Sequence, residues 1–134
     1  MDSASQGAAD LLTGLGQAAV RFGNVGRAVH QAHQPFVRWE PFSRLSRSGV
    51  ATGMVFVLPD GREVCFEVGV AMDGQGFRVR GEVSDEGERL VELPVSDTAN
   101  VRECLVVLRA YVGEVTGPAR RILDERMAAL HEPD

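Results

Sequence analysis

The chain has 134 residues, a net charge of −5, 44% hydrophobic and 25% charged residues. That length suits one domain with a core that needs no staples, so a single domain over 1–134 is expected. The acidic balance argues against a general nucleic-acid binder, which carries a basic footprint. No apolar run approaches the roughly 20 residues of a membrane span. The N-terminus carries Asp2 and Asp10 and no basic stretch ahead of an apolar core, so it does not read as a signal peptide, and a cytoplasmic location is the expectation. Cys65 and Cys104 are then expected as free thiols. All 14 basic residues are arginine; coding bias explains that, and bidentate pairing at an interface is the functional alternative.

Residues 10–29 read as a helix, because Leu11, Leu12, Leu15, Ala18, Ala19, Phe22, Val25 and Val29 recur at three- and four-residue steps. Gly14, Gly16, Gly23 and Gly26 each cost it up to about 1 kcal/mol, so it needs tertiary packing. From Gln31 to Ser48 the periodicity fades around Pro35 and Pro41. A short strand over 36–40 fits there, with the remainder as loop.

Four strands follow, near 50–58, 62–70, 77–84 and 89–93. Asp60-Gly61 reads as a two-residue turn, and Asp85-Glu86-Gly87 as a three-residue one with glycine left-handed. Short turns between successive strands make an antiparallel meander. Ser96 or Asp97 is expected to cap a helix over 98–115. Gly117-Pro118 then breaks the pattern, and a last helix is expected over 119–131. The expected fold is thus α+β: a four-stranded antiparallel meander, one N-terminal helix and two C-terminal helices.

Closing the first hairpin at Asp60-Gly61 sets Val57 opposite Val64 and Val55 opposite Phe66, one apolar face. The expected core is Val55, Val64, Phe66, Val68, Val79, Leu105, Leu108 and Val112. Matching Val70 to Phe77 sets Glu67 opposite Arg80. The other face then mixes Met54, Phe56, Leu58 and Cys65 with Glu63, Glu67, Arg78, Arg80 and Glu82. So much apolar area calls for a cover: the N-terminal helix, a second copy of the chain, or another partner.

Motifs with a chemical mechanism are missing. Gly14-Leu15-Gly16 follows no strand, as a dinucleotide fingerprint requires, and Ser46-Arg47-Ser48-Gly49 is no nucleophile elbow. His30, His33 and His131 lack zinc-ligand spacing. Glu63 and Glu67 stand roughly 13 Å apart along a strand, too far for a glycosidase pair. Asp85, Glu86 and Glu88 read as a solvated turn, Cys65 as an inert strand thiol and Cys104 as core. No metal or cofactor is expected, and no resemblance to a known family emerges.

The best candidate surface is the segment 27–47. There Arg27, Arg38, Arg44 and Arg47 face Glu40 alone, interleaved with Phe36, Trp39 and Phe42, and interfaces enrich arginine and aromatics. The bland alternative is a loop whose aromatics pack while its arginines are solvated. The expected function is a non-enzymatic protein-interaction module of adaptor, secretion-chaperone or immunity type, using Phe36, Arg38, Trp39, Phe42, Arg44 and Arg47 to bind another protein or a second copy of itself. The first alternative is a small-ligand-binding regulatory domain, with a pocket between the sheet and the glycine-rich helix and Arg78 or Arg80 meeting an anion. A dimeric nucleic-acid binder ranks behind both.

Overall fold

A computed structural model describes residues 3–33, 37–46, 48–74 and 76–131. In chain order the elements are α1 (Ser3–His33), β1 (Arg38–Leu45), β2 (Gly49–Val57), β3 (Glu63–Asp73), β4 (Gly76–Asp85), β5 (Glu88–Glu92), β6 (Ser96–Thr98) and α2 (Val101–His131). The architecture is α+β with helices at both ends of an antiparallel sheet. The sheet runs β1-β2-β3-β4-β5, and β6 adds to β4.

The N-terminal helix is longer than its periodic stripe suggested. Leu15, Ala18, Phe22 and Val29 are buried, and the Phe22 ring meets Phe66 edge-on at 4.8 Å and 87°. Those contacts offset the glycine penalty that isolated propensity charges.

The expected break at Pro118 does not occur: one 31-residue helix passes through it. Proline in a helix interior costs about 3 kcal/mol. Here Cys104, Leu108, Val112, Val115, Ala119, Leu123 and Met127 form one continuous buried stripe on both sides of the proline, and that burial outweighs the cost. The expected cap is also displaced. Ser96–Thr98 pairs with β4, and Asn100 caps the helix instead, its Oδ1 accepting from the Glu103 N–H at 2.9 Å. The Glu103 carboxylate returns the contact to the Ala99 N–H at 3.0 Å, a reciprocal cap.

The two helices run parallel, side by side. Gly14 lies against Leu105 and Leu108, the Arg21 guanidinium reaches the Arg109 carbonyl, and His33 meets Asp124, so contacts advance together along both helices. Both pack on the same face of the sheet. Phe22 touches Phe66 from α1, and a Cβ on Gly81 would meet Val115 of α2 at 3.2 Å. The N-terminal helix is therefore not the cover of the second face.

The first hairpin corrects the expected register by one residue. Leu58 donates to the Arg62 carbonyl and accepts from the Gly61 N–H, so Pro59-Asp60-Gly61 is the loop, with Gly61 at φ 86°. A two-residue loop would have placed Pro59 in the closing pair, where its missing N–H is needed. Met54 now faces Phe66, and Phe56 faces Val64. Met54, Phe56 and Leu58 are buried, while Val55, expected in the core, is only half-buried on the opposite face. Val64, Phe66, Val68, Val79, Leu108 and Val112 are buried as expected, and Leu105 is half-buried.

Across β3 and β4 the register shifts by two residues, which preserves the faces. Val70 pairs with Val79, and Glu67 faces Glu82, not Arg80. The β4–β5 loop has two residues, Glu86 at φ 53° and Gly87 at φ 81°, the paired positive values of a type I′ turn. Glu86 is held there by two contacts with Glu63: its N–H donates to the Glu63 carbonyl at 2.9 Å, and its carboxylate accepts from the Glu63 N–H at 2.8 Å.

Asp85 is thereby a strand residue, not part of a solvated turn. It is 6% exposed and takes Arg126 Nε and Nη2 on Oδ2 at 2.9 and 2.8 Å. Its Oδ1 has no hydrogen bond among the described residues, yet lies 3.2 Å from Arg62 Nε. This buried carboxylate ties the sheet to the end of α2.

Candidate functional site

With both helices on one side, the other face of the sheet carries no element among the described residues. Strand alternation sends Arg38, Glu40, Phe42 and Arg44 of β1 to that open face. They are joined by Ala51, Gly53, Val55 and Val57 of β2, and by Glu63, Cys65, Glu67, Gly69 and Ala71 of β3. From β4 come Arg78, Arg80, Glu82 and Ser84. Phe42, Val55 and Val57 are half-buried, a modest apolar strip rimmed by Arg38, Glu40 and Glu63.

A transverse ladder of charge crosses this face. Arg44 reaches over the small residues of β2 to pair with Glu67. Glu67 faces Glu82, and Glu82 pairs with Arg89 Nε at 2.8 Å. Arg89 also reaches Glu92 at 3.5 Å. The Glu67 and Glu82 side chains are 14% and 28% exposed. Desolvation, then the hydrogen bond and charge of Glu67, push the Glu82 carboxyl above the usual range. The Arg44 guanidinium is raised by its hydrogen bond to Glu67. Burial, followed by the Glu67 charge, pushes the Cys65 thiol up to about 11, so it is protonated at neutral pH.

Beside the ladder, toward the β1–β2 loop, lies a trough of about 500 Å³. Its floor is Ala51, Gly69 and Ala71, and Leu45, Ser48, Leu93 and Val95 also border it. Arg80 opens into it, exposed, opposite Gly69. Arg78, by contrast, pairs with Asp97 at 2.9 Å.

The aromatics of the arginine-rich segment are seated on glycines. Trp39 is half-buried on the helical side, and a Cβ on Gly26 would fall 2.7 Å from its ring. Phe42 covers Gly53 on the open side, where a Cβ would meet its ring at 2.7 Å, and Arg44 stacks on Phe42 at 5.2 Å. Arg38 is exposed at the sheet edge, and Arg27 stays on α1, bonded to Asn24. Phe36 and Arg47 lie outside the described residues. Arg38, Phe42 and Arg44 thus share the open face with Arg78 and Arg80, whereas Trp39 points the other way.

Sequence reading missed the Glu67–Glu82 ladder because the register hid it. The histidines lie elsewhere: His30 Nδ1 is 3.3 Å from the Val37 carbonyl, and His33 Nε2 is 2.8 Å from Asp124. Burial alone would raise the Asp124 carboxyl, but hydrogen bonds from His33 and Arg120 outweigh it and hold Asp124 low. Among the described residues no group of three or more His, Cys, Asp or Glu could hold a metal ion. No described helix is long and apolar enough to cross a membrane.

No family model, curated protein or solved structure matches the chain.

Proposed function

We propose that the chain is a non-enzymatic protein-interaction module that binds another protein chain through the open face of its sheet. The observation that carries this reading is the stacking of both long helices on one face, which leaves Phe42, Val55 and Val57 half-exposed on the other. An apolar strip rimmed by Arg38, Glu40 and Glu63 has the layout of an interface, with less polar centre and charged margin. The sheet edge is a poorer docking place, because Pro41 lies within β1 and lacks the N–H that strand addition uses. A Cys65 thiol raised to about 11 supports binding over nucleophilic chemistry at this face.

The test is a paired set of variants. Val55→Lys with Val57→Lys places charge in the strip without touching the buried layer, with Glu40 and Glu63 as cross-strand partners of opposite sign, and should abolish capture of the partner in a pull-down while the chain stays folded. Val106→Glu, on the exposed side of α2, should leave capture unchanged. Light scattering on the purified chain reads the case of a second copy, where the strip variants would turn a dimer into a monomer. Loss of capture with Val106→Glu but not with the strip variants would move the interface to the helices and overturn the proposal.

A further inference from the structure

The trough carries charge that the fold itself does not use. Arg44, Arg80 and Arg89 line it with Glu67, Glu82 and Glu92, three groups of each sign. Arg44 is committed to Glu67, and Arg89 to Glu82 and Glu92. Arg80 alone of the three has neither ion pair nor hydrogen bond among the described residues. It stands two residues before Glu82 on the same strand face, so a free guanidinium fork and a carboxyl pair lie one strand repeat apart, roughly 7 Å between Cα atoms.

The floor is a second, independent observation. Gly69 sits directly opposite Arg80, and neither backbone strain nor packing demands glycine there. Its φ is not in the left-handed region, and a Cβ would meet Ala51 Cβ at 3.6 Å, an ordinary contact. The missing side chain keeps the space under Arg80 open. With Ala51 and Ala71 it gives a volume of about 500 Å³, within the range of small-molecule sites at about 300–1,000 Å³.

We propose that this trough is a binding site for a small zwitterion, a free amino acid. Arg80 takes the carboxylate as a bidentate pair, and the Glu67–Glu82 carboxyls take the ammonium. Arg44 and Arg89 offset two of the three carboxylate charges, so one negative charge and the Arg80 guanidinium are left, which complements a ligand carrying one charge of each sign. The side chain of the amino acid lies along the Ala51–Gly69–Ala71 floor. The inference stands apart from the interaction reading, since it concerns the isolated chain and the opposite end of the face from Val57.

Titration calorimetry on the full chain, using each of the twenty common amino acids, tests it. Acetate, ethylammonium and inorganic phosphate serve as probes of the separate charges. At least one amino acid should bind, and more tightly than acetate or ethylammonium. Arg80→Ala should weaken that binding about tenfold or more, as expected for losing a charge-assisted pair. Gly69→Val should block the floor while all six charges remain, and its melting temperature reads folding separately. If no amino acid binds, the proposal is overturned. Acetate or phosphate binding as tightly as any amino acid would make the trough a plain anion site and overturn it equally. Binding unchanged in both Arg80→Ala and Gly69→Val would place the ligand elsewhere and overturn it too.

Discussion

Glu67 and Glu82 stand directly opposite each other across β3 and β4, two carboxyls in positions where sheets ordinarily set unlike charges. Arg44 and Arg89 flank them from the outer strands. The arrangement leaves the centre of the open face less charged than its composition suggests.

The pair makes stability fall as pH rises through the acidic range. The Glu82 carboxyl is held above its ordinary value in the fold, so the folded chain binds that proton more tightly than the unfolded one. Its contribution is complete below the ordinary glutamate range and is lost as pH passes the raised value. Glu82→Gln should therefore gain up to about 1 kcal/mol over the parent at pH 7, a typical magnitude for a directly opposed like-charge pair. At about pH 3.5, below the ordinary glutamate value, the gain should vanish. Urea denaturation at the two pH values measures it, and a variant less stable than the parent at pH 7 would show that the Glu82–Arg89 pair dominates.

Asp85 should prove far more sensitive than its place beside a hairpin suggests. Asp85→Ala leaves Arg126 and Arg62 facing a buried gap, and breaking such a pair costs about 3–5 kcal/mol when both charges are buried. The two arginines are 37% and 43% exposed and can rehydrate, so about 2–3 kcal/mol is the expected loss. Arg126→Ala should cost more than Arg62→Ala, because Arg126 places two nitrogens on the carboxylate and Arg62 makes no hydrogen bond to Oδ1. Equal losses from the two, read in the same denaturation experiment, would contradict this division.

Gly26 and Trp39 make a pair that reverses the usual glycine rule. A Cβ added at Gly16 or Gly23 would have nothing within 4 Å, so Gly16→Ala and Gly23→Ala should each stabilise α1 by up to about 1 kcal/mol. Gly26→Ala should destabilise instead, since its methyl would press on the Trp39 ring. In the Trp39→Leu background the penalty should shrink, which a double-mutant cycle reads directly. Trp39 fluorescence should also be blue-shifted in the free chain.

Much of the fold was legible because it rests on local chemistry. The alternation Val64, Phe66, Val68, Val70 and the glycine turns mark β3 and its neighbours, and the apolar steps from Leu11 to Val29 mark α1. Three features were not. Pro41 reads as a strand breaker, yet β1 is an edge strand that can point a proline outward. Pro118 reads as a helix stop, yet the burial of Val115 and Ala119 on either side overrides it. The open face was hidden by register, because both faces of β2 are apolar: Val55 and Val57 alternate with Met54 and Phe56, and periodicity cannot choose between them. Pro59 could have chosen, since a residue without an N–H cannot close a two-residue hairpin. The same slip concealed the Glu67–Glu82 pair, which exists only when long-range pairing is fixed.

That one-residue choice is itself open to measurement. Phe56 is fully buried, stacked on Phe66 with ring centroids 5.8 Å apart, so Phe56→Ala should cost about 3–5 kcal/mol. Val55 faces the open side, half-buried, and Val55→Thr should cost less than about 1 kcal/mol, since threonine keeps the strand preference and its hydroxyl reaches water. With the register that Asp60-Gly61 alone would set, the order reverses: Val55 would oppose Phe66 in the core, and a buried hydroxyl there would carry the larger penalty. The comparison uses neighbouring residues of one strand, so differences in local propensity largely cancel. A loss at Val55 exceeding that at Phe56 would return the apolar strip to the core. The open face would then present Met54, Phe56 and Leu58 instead, and the charge ladder would have to be redrawn around them.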